Sequence, residues 1–190
     1  MSEPAVRARS AQQAFEYLAS FEPDALARVR AEVPDEIIKA IESAPPTSFL
    51  PLSLDGLLVR GIVRGLGEER AERFWRSFVV EHVRTPALKP LIDTAVRLFG
   101  VNPGTFFWAL AKGLDQSYRD FGKKDLERDT GFARFTLSDF HPELLRFPEY
   151  FVALRAICGA MIDLARADWS LESSVDTAAR RFVATARSRH

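Results

Sequence analysis

Apolar residues recur at helical spacing through the first two thirds of the chain and then change to strict alternation. Ala14, Phe15 and Leu18 share one face of a helix predicted over residues 11–18. Pro23 stands at the start of a second helix, over residues 24–32. Pro34 opens a third, in which Ile37, Ile38 and Ile41 repeat and which must stop before Pro45 and Pro46. Residues 47–51 read as a connector whose Phe49 and Leu50, with Leu52, pack inward and tie the first helices to the rest. Leu57, Leu58, Ile62 and Val63 form the stripe of a helix over 54–66, closed by Gly65 and Gly67. Phe74, Trp75, Phe78 and Val79 give the next helix, 68–83, an aromatic face that has to be buried. A helix from Thr85 and Pro86 to Phe99 turns Leu88, Leu91, Ile92, Ala95 and Leu98 inward. Asn102 then caps a helix with proline at its first position, and the stripe Phe107, Leu110, Leu114, Tyr118, Phe121 carries it to Gly122.

Beyond Gly122 the period becomes two. Residues 124–128 and 132–137, joined through Asp129, Thr130 and Gly131, predict a hairpin with Ala133, Phe135 and Leu137 on one side. His141-Pro142 and Pro148 bracket a turn, and a long helix follows over 149–166, burying Phe151, Leu154, Ile157, Cys158, Met161 and Leu164 or Ala165. Trp169, Leu171, Ser173 and Val175 alternate, residues 176–179 turn, and Phe182, Ala184 and Ala186 alternate again. The predicted fold class is α+β, an N-terminal helical layer followed by ββαββ, a four-stranded antiparallel sheet with one long helix packed on it. The chain divides into a helical subdomain, 1–122, and a ββαββ subdomain, 123–190, forming one compact domain.

Composition narrows the function. A chain of 190 residues, 47% hydrophobic and 27% charged, can fill a core and is not disordered. Its 26 basic and 26 acidic side chains cancel, leaving no field to draw in nucleic acid. No run approaches the roughly 20 apolar residues that span a bilayer, and the first residues lack a secretory pattern, so a cytoplasmic location is expected. One cysteine, Cys158, permits no internal disulfide. Arg outnumbers Lys 21 to 5, for which codon bias is preferred over a phosphate clamp.

Few residues stand out as chemistry. Asp139, His141 and Glu143 alternate in an extended segment and form a candidate metal site, against which stands the common solvated turn histidine. His82, at the end of the aromatic helix, suits haem ligation or, more commonly, a helix terminus. Cys158 lies on an apolar helix face with no cation beside it, which favours packing over nucleophilic catalysis. Arg180, Arg181, Arg187 and Arg189 crowd the last strand, as an anion-binding strip or, preferably, as guards of an exposed sheet edge. Phe106, Phe107 and Trp108 cannot all face one core, so Phe106 or Trp108, with Phe151, is the candidate lining of a ligand hollow or partner surface; the alternative is a helix buried on two sides.

Phe49-Leu50-Pro51, Phe74-Trp75-Arg76, Leu98-Phe99-Gly100-Val101-Asn102-Pro103 and Tyr118-Arg119-Asp120-Phe121-Gly122 resemble a paralogous family of roughly 200-residue single-domain proteins in myxobacteria. That family assigns no role to any residue. At fold level, helices followed by ββαββ resemble the vinyl-reductase-like domains, the haem nitric-oxide sensors and the vesicle-tethering subunits. The haem sensors' proximal-ligand histidine motif has no counterpart here, so no cofactor is expected and haem is the departure from that expectation. The resulting expectation is a non-catalytic signalling or adaptor module sensing a small apolar ligand. The alternative is a ligand-free protein-interaction or homodimerisation module, and the third reading is a haem or metal sensor.

Overall fold

The computed structural model describes residues 3–83 and 89–189. A strand, β1 (Ala5–Arg7), precedes the helices α1 (Ala8–Phe21), α2 (Ala25–Glu32) and α3 (Asp35–Ser43). After β2 (Phe49–Pro51) come α4 (Leu52–Leu66), α5 (Glu68–His82), α6 (Lys89–Phe99), α7 (Pro103–Ser117) and β3 (Tyr118–Arg119). The hairpin β4 (Lys123–Asp129) and β5 (Phe132–Ser138), a 3-10 turn (Pro142–Arg146), α8 (Glu149–Ala165) and the hairpin β6 (Trp169–Asp176) and β7 (Arg181–Ser188) complete the chain. The fold is α+β.

The predicted four-stranded sheet is present, in the order β4-β5-β7-β6 with every pair antiparallel. Its inner face is carried by Ala133, Phe135 and Leu137 of β5 and Phe182, Ala184 and Ala186 of β7, all buried as their alternation requires. Two helices cover it: α7 lies over β4 and β5, and α8 over β6 and β7, while α8 packs still more extensively along α5. One continuous cluster of buried side chains runs from Val6 to Ala186.

Several sequence expectations are corrected. A second, three-stranded sheet, β2-β1-β3, joins three segments distant in sequence, with Val6 opposite both Leu50 and Tyr118. Pairing with β1 draws Tyr118 out of the predicted helical stripe, so α7 stops at Ser117, and Phe121 enters the core from a loop. The same alternation turns Leu50 inward and leaves Phe49 half-buried on the outer face, where it was expected inside. Leu98, also expected inside, is 60% exposed. Among the described side chains of α6, Ile92 and Val96 pack on the core, and Leu98 lies about 200° of helical turn beyond Val96; Leu88, Leu91 and Ala95, expected inside with it, lie outside what the structure describes. The predicted start of that helix at Thr85 and Pro86 lies outside the described residues. Asn102 does cap α7, its side chain accepting from the Thr105 amide at 3.0 Å. Phe106 and Phe107 are both buried and Trp108 is half-buried, because α7 is enclosed on two sides, by α8 and by the sheet.

Gly65 sits where α4 crosses α2 so closely that an added Cβ would stand 2.9 Å from the Arg28 carbonyl oxygen, whereas at Gly113 of α7 it would meet nothing within 4 Å. Backbone cannot move aside as a side chain can. Gly65→Ala is therefore expected to destabilise by about 1–3 kcal/mol, and Gly113→Ala to stabilise by about 0.5–1 kcal/mol through helix propensity. Urea unfolding of the two variants checks both signs.

Candidate functional site

The first turn of α4 is the most chemically loaded part of the molecule. Pro51 ends β2 and precedes the helix, and the Leu52 amide donates to the Pro4 carbonyl at 2.9 Å, pinning the start of α4 to the start of β1. Asp55 then falls on the helix face that also carries Leu58, Val59, Ile62 and Leu66, so a carboxylate is carried into the core with only 5% exposure. Two phenols meet it there. Tyr150, at the start of α8, and Tyr118, in β3, both donate to Asp55 Oδ2, Tyr118 at 3.4 Å and Tyr150 closer. Burial pushes the Asp55 carboxyl from 3.8 up to about 6, although both tyrosine hydrogen bonds oppose the rise. Burial, reinforced by the Asp55 charge, also holds both phenols well above their usual range, so they remain donors.

Around the same turn of helix, on the outside, lies a half-open hollow of about 420 Å³ lined by Glu3, Pro4, Leu52, Ser53, His141, Glu143 and Arg146. Its lining sets two carboxylates, one guanidinium, an imidazole and a hydroxyl beside Pro4 and Leu52, and the Glu143 and Arg146 charges are paired with each other at 2.8 Å. His141 Nδ1 accepts from the Glu143 amide at 3.2 Å, acting as cap of the 3-10 turn. The turn itself is clamped on α4: Phe147 presses against Gly56, where a Cβ would come within 2.6 Å of its ring. Arg60 lies over that ring at 4.7 Å, donates to the Arg146 carbonyl and pairs with Glu149 at 3.3 Å.

The candidates from sequence are dispersed. Asp139 (φ +50°) forms an ion pair with Lys123, Glu143 pairs with Arg146, and His141 is the cap, so the extended segment that would align Asp139, His141 and Glu143 is broken by a turn and a 3-10 helix. No cluster of three metal-ligating side chains occurs among the described residues. Arg180 lies in the turn, donating to the Phe140 carbonyl, while Arg181 and Arg187 are on the exposed face of β7. The edge-guard reading is corrected, because β7 lies between β5 and β6. Phe106 is buried at 5% exposure, and Phe151 contacts Phe140 and Phe182, at centroid distances of 5.3 and 6.3 Å. His82 Nδ1 lies 2.8 Å from the Phe78 carbonyl, with its ring tilted at 33° against Phe78 and edge-on to Tyr17. Cys158 is buried, which pushes its thiol up and keeps it neutral. The sequence reading missed Asp55, Tyr118 and Tyr150. The available signal was an acid at a core position of the α4 stripe.

The native state keeps the Asp55 proton where the unfolded chain has already released it. The stability this contributes is fully present below 3.8 and is lost as the pH rises through about 6, on the order of 3 kcal/mol in all. Asp55→Asn, whose amide oxygen still accepts from the tyrosines, should remove that slope and be more stable than the parent above pH 7. Tyr150→Phe, by deleting a hydrogen bond to the ionised form, should move the midpoint of the loss above 6. Urea unfolding at a series of pH values measures both.

No protein-family model matches the chain, and no curated protein matches it. Solved structures do. A structure from work probing the function of haem distortion in the H-NOX family superposes with a TM-score of 0.58 at 8% identity, covering 94% of this chain and 92% of that one. A mutant of the T. tengcongensis H-NOX superposes with a TM-score of 0.53 at 10% identity, covering 97% and 98% of the two chains. The chain is thus similar in fold, over nearly its whole length, to H-NOX domains.

Proposed function

We propose that the chain is a non-catalytic signalling or adaptor module that keeps the H-NOX-like framework, fills its interior with its own side chains, and acts through a protein partner. The observation that carries this reading is the packing between helices and sheet. Phe107, Phe121, Phe135, Phe140 and Phe182 are each at most 1% exposed, and Phe151 bridges α8 to the sheet by stacking on Phe182. Tyr150 and Tyr118 pack against Phe121 in the same layer. Aromatic rings in mutual contact fill the layer between helices and sheet, which favours the interaction module over the apolar-ligand sensor.

Haem is the group that the fold similarity raises, and the described residues do not fit it. An axial imidazole must present a ring nitrogen to an apolar cavity large enough for a porphyrin. His82 is packed within the aromatic cluster of α1 and α5, and His141 caps a turn beside a polar hollow. The Cys158 thiol is protonated in the core and makes no thiolate ligand. Against catalysis stands the setting of Asp55, a carboxyl that burial pushes up to about 6. It is sealed from solvent and hydrogen-bonded only to two phenols whose own protons are held more tightly still.

Purified without added cofactor, the protein should give a native mass equal to that of its polypeptide or of a whole-number oligomer. Added hemin should keep the absorption spectrum of free hemin. A retained mass that is lost on denaturation, or a Soret band that shifts and saturates at one equivalent of hemin, would overturn the filled-module reading.

A further inference from the structure

The outer face of the three-stranded sheet holds two guanidinium groups against one aromatic ring. Alternation along β1, β2 and β3 sends Val6, Leu50 and Tyr118 to the core side and Ala5, Arg7, Phe49, Pro51 and Arg119 to the outside. Arg7 and Phe49 are register partners, and Arg119 stands opposite Ala5, two residues along the same face. Both guanidinium groups lie against one ring: Arg119 Cζ is 3.7 Å from the Phe49 centroid and Arg7 Cζ 4.9 Å from it. The Arg7 Nε donates to the Gln116 carbonyl at 3.2 Å, which fixes its orientation.

Several arginines that bridge elements have carboxylate partners, Arg60 with Glu149, Arg70 with Glu22, Arg76 with Asp163, Arg155 with Glu68 and Glu72, whereas Arg187, over the Phe132 ring at 6.0 Å, has none among the described residues. Arg7 and Arg119 form no ion pair among the described residues, although the acidic Glu3 and Asp120 lie close by in sequence. Two like charges held on one ring repel, and the ring's π face offsets only part of that cost. An anion received between them removes the repulsion and gains charge-assisted hydrogen bonds from two forked donors.

We infer that the Arg7–Phe49–Arg119 face is a docking site for an extended acidic segment of a partner protein, one that presents carboxylates beside an aromatic or aliphatic side chain. This rests on the adaptor reading above and names its partner surface. Charge complementarity sets the sign of the occupant. The flanking Ala5 and Pro51 supply apolar ground for a neighbouring side chain, and Phe49 supplies a ring. A polyanion is disfavoured, because the chain has no net charge and only two cations converge here.

The test is a nuclear magnetic resonance titration of the apo protein, reading the arginine side-chain Nε–H signals, with the synthetic tetrapeptide acetyl-Asp-Phe-Glu-Asp-amide as probe and its Asn/Gln analogue as control. At about 50 mM salt the acidic peptide should shift the Arg7 and Arg119 signals saturably, and at about 300 mM salt bind several-fold more weakly. The Arg7→Gln/Arg119→Gln double variant should lose about tenfold in affinity, close to 1.4 kcal/mol, while its backbone amide spectrum at the titration temperature stays that of the folded protein. Arg119→Lys, which keeps the charge and loses the fork and the stacking, should fall between. Absence of saturable shifts at these residues, equal binding of the uncharged analogue, or equal binding by the double variant would overturn the inference. So would tighter binding of inorganic phosphate or of phosphatidylserine vesicles to the same two arginines. A protein that holds hemin fails the adaptor reading; one that holds none and leaves both arginines unshifted fails only this surface.

Discussion

A carboxylate buried without a cation sets the terms for the middle of this molecule. Asp55 reaches the core because α4 begins immediately after β2 and its first turn is pinned to the first residues of β1, and once there it has to be hydrogen-bonded. Its two donors come from Tyr118, far along the chain in β3, and Tyr150, at the first turn of α8. Satisfying one oxygen atom thus fixes α4, the small sheet and α8 relative to one another. An ammonium or guanidinium in place of the phenols would have added a second buried charge. Two phenols leave the site one proton away from neutrality, and its pH response follows from that choice.

The packing between helices and sheet follows a different logic. Between the helices and the sheet the aromatic rings touch one another. Phe151 stacks on Phe182, Phe140 lies on Phe151, and Phe121 lies on Tyr118 and Tyr150. Each contact contributes its area burial and an aromatic term of about 0.5–1.5 kcal/mol, so emptying the layer for a ligand would cost several such contacts at once. Similarity of framework to H-NOX domains at 8–10% identity is a likeness of fold, and a shared fold does not dictate how an interior is used.

Local periodicity made most of this fold legible in the sequence. The stripes of α1, α3, α4, α5 and α8 and the alternation of β5 and β7 each specify which residues are inside, and the Asn102 cap and the two hairpins could be placed from a few residues. The three-stranded sheet was not legible, because strands of two or three residues carry no period and Val6, Leu50 and Tyr118 meet only after long loops have closed. The inward assignment of Phe49 and the helical assignment of Tyr118 failed for that one reason. The site failed with them. Asp55 could have been noticed as an acid on an apolar stripe, but its partners come from β3 and α8, and neither tyrosine advertises a hydrogen bond in sequence. The alternation that makes Asp139, His141 and Glu143 a candidate set does not run through this segment, where a positive φ at Asp139 and a 3-10 turn scatter the side chains and leave His141 a turn residue, the alternative that the sequence favours.

The two polar features that sequence missed are the two sides of one strand. β3 has only two residues, and pleating sends Tyr118 inward to Asp55 and Arg119 outward to Phe49. Both are held by β1, Tyr118 opposite Val6 and Arg119 opposite Ala5. A strand so short has no independent stability, so its position is set by what its two side chains grip. Ionisation of Asp55 strengthens the inner grip by making the carboxylate a better acceptor for Tyr118, and an anion bound outside would strengthen the outer one. Neither side chain can shift along the strand direction without carrying the other, since a single peptide bond separates them. The buried carboxyl and the cationic face are in this sense mechanically one element, with β1 as its frame.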